Sequence, residues 1–163
     1  SNYGPAKDLA LYYGFDEALL VDADCNVTEG AGENVFAARG RELWTPPLTQ
    51  PILPGTKRNV VIEMARNLGF PVMQKPISLD DFLDADATGL SGTWCGFEPP
   101  AVVAWMRDSR EKPGEFEGKQ SNYDPHNPII IKIRDEYRKL IRGDPELDSR
   151  LREIQERIRL KVA

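Results

Sequence analysis

Histidine and cysteine are scarce in this sequence, and their scarcity excludes several kinds of site. Among 163 residues there are one histidine, His126, and two cysteines, Cys25 and Cys95. A single histidine excludes a histidine-rich metal site, and there is no Cys-x-x-Cys pair to bind zinc. Two cysteines suggest no disulfide framework, so we expect reduced thiols. Cys95 is predicted to be a small buried residue instead of a nucleophile.

Long apolar runs and basic blocks are also missing. No apolar run approaches the roughly 20 residues that a membrane-spanning helix needs, and the first residues lack signal-peptide character. We therefore expect a cytoplasmic protein. The 21 basic and 26 acidic residues give a net charge of −5, spread along the chain. Nucleic acid and anionic membrane are not expected as partners.

The apolar spacing predicts an α+β domain, because strands and helices mix without the regular alternation of a doubly wound sheet. Polar residues dominate 107–127, which is predicted to be a mobile surface loop. Residues 144–163 are predicted to form an amphipathic helix that docks on its own domain or, alternatively, on a neighbouring subunit. The predicted strands are 17–22, 34–38, 42–45, 72–74, 88–93 and 101–105. The predicted helices are 5–13, 57–68, 129–142 and a short helix opened by Ser78.

The most informative stretch is a glycine-containing turn, Glu29-Gly30-Ala31-Gly32-Glu33-Asn34, which joins the apolar runs 17–22 and 34–38. Two glycines in so short a connection let the backbone approach a bound group closely. Loops held by sheets often carry functional residues. The alternative is a plain tight turn whose acids are solvated. Taken alone, this motif leaves both interpretations open.

Four further motifs, taken with the glycine turn in chain order, resemble the fold-type IV pyridoxal-phosphate enzymes. They are Tyr3, Thr45-Pro46-Pro47-Leu48, Leu53-Pro54-Gly55-Thr56-Lys57-Arg58 and Ser91-Gly92-Thr93. The likeness is strongest to branched-chain amino-acid aminotransferases and runs from Ser1 to about Gly143. It implies that 1–143 is the larger C-terminal domain of that fold, a mixed sheet or barrel with flanking helices, and that 144–163 is an added helix.

The resemblance implies pyridoxal 5'-phosphate as cofactor and assigns its binding residues by motif. Glu29 would keep the pyridine nitrogen protonated, as the electron-accepting ring requires. The phosphate would lie at the N-terminus of a helix, where backbone N–H groups and the helix dipole favour anions. The implied cofactor-binding residues are Tyr3, Glu29, Leu53, Gly55, Thr56, Lys57 and Thr93. The implied substrate-binding residues are Gly32, Trp94 and Cys95.

The sequence also departs from the family pattern at two places. The family commonly has an aliphatic residue and then threonine where this chain has Thr56 and then Lys57. Lys57 is expected either to strengthen phosphate binding as a point charge or to face solvent. Trp94 stands where the family often has a small residue, so it would narrow or reshape the substrate pocket. For Tyr3 and Thr93 the alternatives are a buried core tyrosine and an ordinary strand hydroxyl.

The family's Schiff-base lysine would precede Ser1 by three residues, so the resemblance implies no catalytic residue within this chain. We expect the chain to be inactive alone and to work with an N-terminal part of the same enzyme, which is a separate chain, a nicked fragment or missing. A homo-oligomer, a dimer or higher, is expected, acting on amino acids with 2-oxoglutarate as acceptor 2-oxo acid. The alternatives are an aminodeoxychorismate lyase-like enzyme of the same superfamily and a non-catalytic module that retains the fold.

Overall fold

The computed structural model describes residues 3–92, 96–100, 103, 120–144, 149 and 152–153. Within these ranges an open mixed sheet is flanked by helices. The helices are α1 (Tyr3–Tyr12), α2 (Thr56–Asn67), α3 (Leu79–Leu83) and α4 (Pro128–Arg142). The strands are β1 (Leu19–Val21), β2 (Asn26–Gly30), β3 (Glu33–Arg39), β4 (Glu42–Thr45), β5 (Val72–Gln74), β6 (Ile77–Ser78), β7 (Ala87–Gly92) and β8 (Gly96–Glu98). This combination confirms the predicted α+β class.

Strand β3 is the centre of the sheet. It pairs antiparallel with β2, β4 and β7. Beyond these neighbours, β8 extends the sheet past β7, while β1 and β6 lie beside β2. Strand β5 runs parallel to β4, and this is the one parallel pair among the described strands. The end of β3 that carries the glycine turn therefore meets both β2 and β7.

Successive side chains of β3 enter two different apolar cores. Phe36 is fully buried against α2 and α4, and Phe97 of β8 meets its ring edge-on with centroids 5.8 Å apart. Val35 and Ala37 enter a second core with Val27. Because side chains alternate along a strand, Asn34 shares the face of Phe36 while Glu33 shares the face of Val35. We name these the α2/α4 face and the α1 face of the sheet.

Helices α2 and α4 begin and end within one residue of their predicted bounds, whereas α1 covers Tyr3–Tyr12 in place of the predicted 5–13. Helix α2 covers Thr56–Asn67 in place of the predicted 57–68, and α4 covers Pro128–Arg142 in place of 129–142. The N-terminus of α4 is capped by the Asn127 side chain, which accepts hydrogen bonds from two backbone N–H groups. Gly143 ends α4 in the left-handed conformation at φ 69°. None of the helices in the described ranges is long and apolar enough to cross a membrane.

Several strand predictions need correction. The glycine turn does not directly follow the strand predicted at 17–22, which is observed only as Leu19–Val21. Strand β2 intervenes and was not predicted, because Val27 is its only aliphatic residue and its stability comes from pairing with β1, β3 and β6. Strands β6 and β8 were not predicted either. The predictions at 101–105, 107–127 and 144–163 fall largely outside the described residues.

Candidate cofactor site

Three polar side chains form a row across neighbouring strands on the α2/α4 face. In the strand register Glu29 of β2 lies opposite Asn34 of β3, and Asn34 lies opposite Ser91 of β7. Residues directly opposite each other in antiparallel strands share a face and approach closely. Glu29 is 2 % exposed, Asn34 6 % and Ser91 2 %. Buried polar groups need partners, so this row marks a place of specific contacts.

Two members of this row bind the backbone of Leu53, in the loop that leads into α2. The Leu53 N–H donates to Glu29 Oε2 at 2.9 Å. Its carbonyl oxygen accepts from Asn34 Nδ2, also at 2.9 Å. The Leu53 side chain remains 59 % exposed. Its main chain is therefore held against the sheet while its apolar side chain stays available at the surface.

Two residues after Leu53, Gly55 brings the start of α2 against Asn34. A Cβ atom placed on Gly55 would lie 2.0 Å from Asn34 Oδ1, so only glycine fits beside the side chain as it stands. Gly55 is also the N-cap of α2, and no side chain among the described residues caps this terminus. The first turn of a helix has backbone N–H groups without intrahelical partners. This end of α2 thus offers donors and a positive dipole to an anion.

The residues at the tip of α2 differ in their surroundings. Thr56 is exposed. The Nζ of Lys57 lies 5.9 Å from the centroid of the Tyr137 ring on α4, and the two predicted roles of Lys57 stay predictions. A contact at this distance is a weak cation–π interaction. The ammonium group of Lys57 therefore lies near the ring of Tyr137 on α4.

Ser91 completes the row with a hydroxyl that has no hydrogen-bond partner among the described residues. A buried hydroxyl without a partner is uncommon and calls for a physical explanation. The next residues along the chain, Thr93, Trp94 and Cys95, lie outside the described residues, so their predicted roles stay predictions. Ser91 itself was quoted in the sequence motif but was not assigned a role.

Arg58 is a further residue that sequence reasoning missed. Its side chain is 1 % exposed, and its guanidinium donates to the Pro46 carbonyl at 2.8 Å and to Gln74 Oε1 at 2.9 Å. Burial lowers the pKa of this guanidinium. Arg58 ties the first turn of α2 to the ends of β4 and β5. The signal was present in the sequence, because Arg58 precedes Ile62 by four positions on the apolar stripe of the helix.

Two further predicted site residues are not among the contacts of this row. Tyr3 is the first residue of α1. Gly32 is exposed at the tip of the glycine turn, where its N–H donates to Glu33 Oε2 at 3.1 Å. The structure therefore brings Glu29, Leu53, Gly55 and Thr56 together.

A cavity of about 730 Å³ lies on that opposite face, between α1 and the sheet. Lys7, Glu17 and Glu33 are the charged cluster in its wall, with Lys7 Nζ 2.6 Å from Glu17 Oε2. Burial, a hydrogen bond to Glu17 and the charge of Glu17 raise the pKa of Glu33 to about 7. Burial is the largest single effect on Glu17 and acts to raise its pKa. Hydrogen bonds from Glu33 and Lys7 together outweigh burial, so the pKa of Glu17 is lowered. The two shifts are opposite, so Glu33 binds a proton at higher pH than Glu17 does.

The cavity and the polar row are separate places on opposite faces of the sheet. The cavity wall is mainly apolar and includes none of Glu29, Leu53, Gly55 or Thr56. The row joins a buried carboxylate to an uncapped helix terminus, which are the two features that a protonated ring nitrogen and a phosphate require.

Comparison with known proteins assigns the class. The family described as Amino-transferase class IV matches residues 2–99, and the chain belongs to this family. Among its relatives, a putative branched-chain-amino-acid aminotransferase of Methanocaldococcus jannaschii is 43% identical over 133 residues, covering 80% of this chain and 46% of the relative.

Two solved structures extend the likeness to three dimensions. A branched-chain aminotransferase of Thermoproteus uzoniensis, crystallised with norvaline, matches with a TM-score of 0.73 and 33% identity over 89% of this chain and 43% of that one. The Thermobaculum terrenum branched-chain amino acid aminotransferase in its PLP form matches with a TM-score of 0.73 and 30% identity, over 93% of this chain and 45% of that one. The chain thus spans less than half the length of these relatives.

Proposed function

We propose that this chain supplies the cofactor cradle for pyridoxal-phosphate-dependent transamination of branched-chain amino acids. The observation that carries the proposal is the double attachment of Leu53, by Glu29 and by Asn34, which joins a buried carboxylate to the N-terminus of α2. The relatives named above are branched-chain aminotransferases, and one was solved in its PLP form. Both lines of support point to the same small molecule.

The residues of the row fit this cofactor. When bound, pyridoxal phosphate supplies a protonated pyridine ring that accepts electrons as the substrate loses its α-proton. Glu29 would hold the proton at the ring nitrogen. A carboxylate accepts several hydrogen bonds at once, so the bond from Leu53 is compatible with a second donor.

The opposite end of the cofactor would lie at the tip of α2. The N–H groups of Thr56 and Lys57 would bind the phosphate, and the absence of a side-chain cap on α2 among the described residues leaves that position to a ligand. The space that a Cβ on Gly55 would fill lies beside this tip. Leu53, whose side chain is exposed, would cover one face of the ring. The hydroxyl of Thr93 is proposed as a further phosphate donor.

The rest of the reaction is proposed to need more than this chain. The relatives are more than twice as long as the matched region, and we propose that an N-terminal part carries the lysine that reacts with the cofactor and shuttles the proton. Gly32, Trp94 and Cys95 would meet the substrate carboxylate. We further propose 2-oxoglutarate as amino acceptor, a homo-oligomer as the working form, and a cytoplasmic location.

The test has two parts. In the first, the chain is titrated with pyridoxal 5'-phosphate while protein fluorescence is recorded, and saturable binding is expected. In the second, the chain assembled with its N-terminal part is assayed for glutamate formed from leucine and 2-oxoglutarate. Release of pyruvate from aminodeoxychorismate, without glutamate formation from leucine, would replace the proposal by the lyase reading. An assembly that binds no cofactor would refute both.

A further inference from the structure

We propose that Asn34 is the positioning residue for the phosphate end of the cradle, acting through the Leu53 carbonyl and Gly55. This inference rests on the proposed function, because it names a residue that sets the shape of that same site. Asn34 is outside the set of residues that the family motifs assign to the cofactor. The contacts of its side chain carry the argument.

The Asn34 amide uses both of its ends on the loop before α2. Its Nδ2 donates to the Leu53 carbonyl at 2.9 Å. Its Oδ1 packs so closely on Gly55 that a Cβ added there would lie only 2.0 Å away. The side chain therefore holds the loop by a hydrogen bond at Leu53 and by close packing two residues later. The next residue, Thr56, begins α2.

Burial makes these contacts specific to asparagine. Asn34 is 6 % exposed, so a change that leaves the Leu53 carbonyl without a donor removes a hydrogen bond that water replaces poorly. Aspartate would have the same shape but no donor, and its charge would face a carbonyl oxygen and the neighbouring Glu29. Serine and alanine are too short to reach Leu53. The amide is thus the one short side chain that fits and donates at this position.

The same loop residue links the two ends of the site. Leu53 donates its N–H to Glu29 Oε2 and offers its carbonyl to Asn34. Glu29 and Asn34 are themselves cross-strand neighbours. The main chain of Leu53 therefore sets the distance between the two ends of the proposed site. One end is the Glu29 carboxylate for the ring nitrogen, and the other is the tip of α2 for the phosphate.

The test separates phosphate binding from ring binding by comparing two probes, pyridoxal 5'-phosphate and pyridoxal, which lacks the phosphate. In Asn34→Ala the dissociation constant for pyridoxal 5'-phosphate is expected to rise at least tenfold, while that for pyridoxal changes less than threefold. Asn67→Ala is the matched control, because Asn67 is exposed at the far end of the same helix. It should leave both constants unchanged. Equal losses for both probes in Asn34→Ala would overturn the positioning role.

A double-substitution cycle gives a second readout that does not depend on the cofactor. Gly55→Ala alone should be strongly destabilising, because its methyl group would overlap Asn34 Oδ1. In the Asn34→Ala background the two nearest atoms, both of the Asn34 amide, are gone, and the next is Arg58 Cβ at 3.6 Å, an ordinary contact. The thermal midpoint should therefore fall much less for Gly55→Ala in that background than in the wild type. Additive losses would contradict the contact.

The outcomes also distinguish this inference from the proposed function. If the wild-type chain binds pyridoxal and pyridoxal 5'-phosphate equally well, the proposed function fails at its phosphate site. If the wild type prefers the phosphorylated probe and Asn34→Ala keeps that preference, only the positioning role fails. If Asn34→Ala does not fold, Asn34→Ser serves instead, since its shorter hydroxyl also fails to reach the Leu53 carbonyl and should cause the same phosphate-selective loss.

Discussion

Glu29 and Glu33 lie at the two ends of one glycine turn, yet they belong to different chemical environments. Glu29 on the α2/α4 face is buried and bound to the Leu53 N–H. Glu33 on the α1 face stands in a cavity wall beside Glu17, and its pKa is raised to about 7. The turn brings the two strands together so that Asn34 faces Glu29 and its neighbour Glu33 faces away. Four positions in the sequence thus separate a carboxylate bound to a main-chain N–H from a carboxyl group whose pKa is raised.

The two faces of the sheet also differ in packing, since the α2/α4 face has a closed core and the α1 face borders a cavity. Large-to-small substitutions on the two faces test this difference and have the largest expected effect. Phe36→Ala on the α2/α4 face should lower the free energy of unfolding by about 4 kcal/mol, because its ring is fully buried in a closed core. Leu90→Ala on the α1 face should cost about 1 kcal/mol, because Leu90 is half-buried in the wall of an existing cavity. Urea denaturation of both variants checks the difference. Equal losses would show that the two faces are packed alike.

Charge removal at the two glutamates is the next test. Glu29→Gln keeps an oxygen for the Leu53 N–H but removes the negative charge, so turnover of the complete assembly should fall by about 100-fold, as for other preorganised electrostatic groups. Glu33→Gln is the matched control four residues away and should leave the affinity for pyridoxal 5'-phosphate unchanged. A larger loss of affinity in the control than in Glu29→Gln would reverse the assignment of the two faces.

The pH dependence of stability should identify Glu33. Its pKa is 4.5 ordinarily and about 7 in the fold, so between these values the folded protein binds more protons than the unfolded chain. The free energy of unfolding therefore falls as pH rises through this window. Solvent screening reduces the effect of this half-buried group to about 1 kcal/mol. Glu33→Gln should remove that slope, as denaturation at pH 4.5 and pH 8 would reveal; an unchanged slope would place the raised pKa elsewhere.

The smallest expected effect concerns the cation of the same cluster. Lys7→Met removes an ion pair of 2.6 Å whose lysine side chain is 38% exposed, so the loss of stability should be about 0.5 kcal/mol and smaller in high salt. The charge of Lys7 acts to lower the pKa of Glu33. The pKa of Glu33, followed by carboxyl-carbon NMR, should therefore rise above about 7 in the variant. A fall would show that Lys7 does not face Glu33.

Local patterns in the sequence predicted most of the helices and the central strands. The apolar stripe of α2, the capping serine of α3 and the glycine after α4 are signals contained within a few residues. Strand β2 gave no such signal, because Asn26-Val27-Thr28-Glu29-Gly30 is mostly polar and depends on its neighbours in the sheet. The β-strand propensity of single residues cannot reveal a strand that is stable only when it is paired in the sheet.

The motifs in the sequence name Glu29, Gly55 and Thr56 as cofactor-binding residues, and these roles stay predictions. The proposed role of Asn34 lies beyond such motifs, because it depends on a hydrogen bond that spans 19 positions in the sequence. Arg58 was missed for a related reason, since its partners are Pro46, just after β4, and Gln74, the last residue of β5. Contacts of this kind depend on where the strands lie relative to the start of α2, and sequence spacing does not contain that distance.

The protonation state of the bound ring tests the central claim most directly. Pyridoxal 5'-phosphate labelled with ¹⁵N in its ring would be bound to the wild-type chain and to Glu29→Gln, and the ring-nitrogen chemical shift recorded at pH 8. The wild type should give the shift of a protonated pyridine and Glu29→Gln that of a neutral one. The same shift in both proteins would contradict the assignment of Glu29 as the partner of the ring nitrogen.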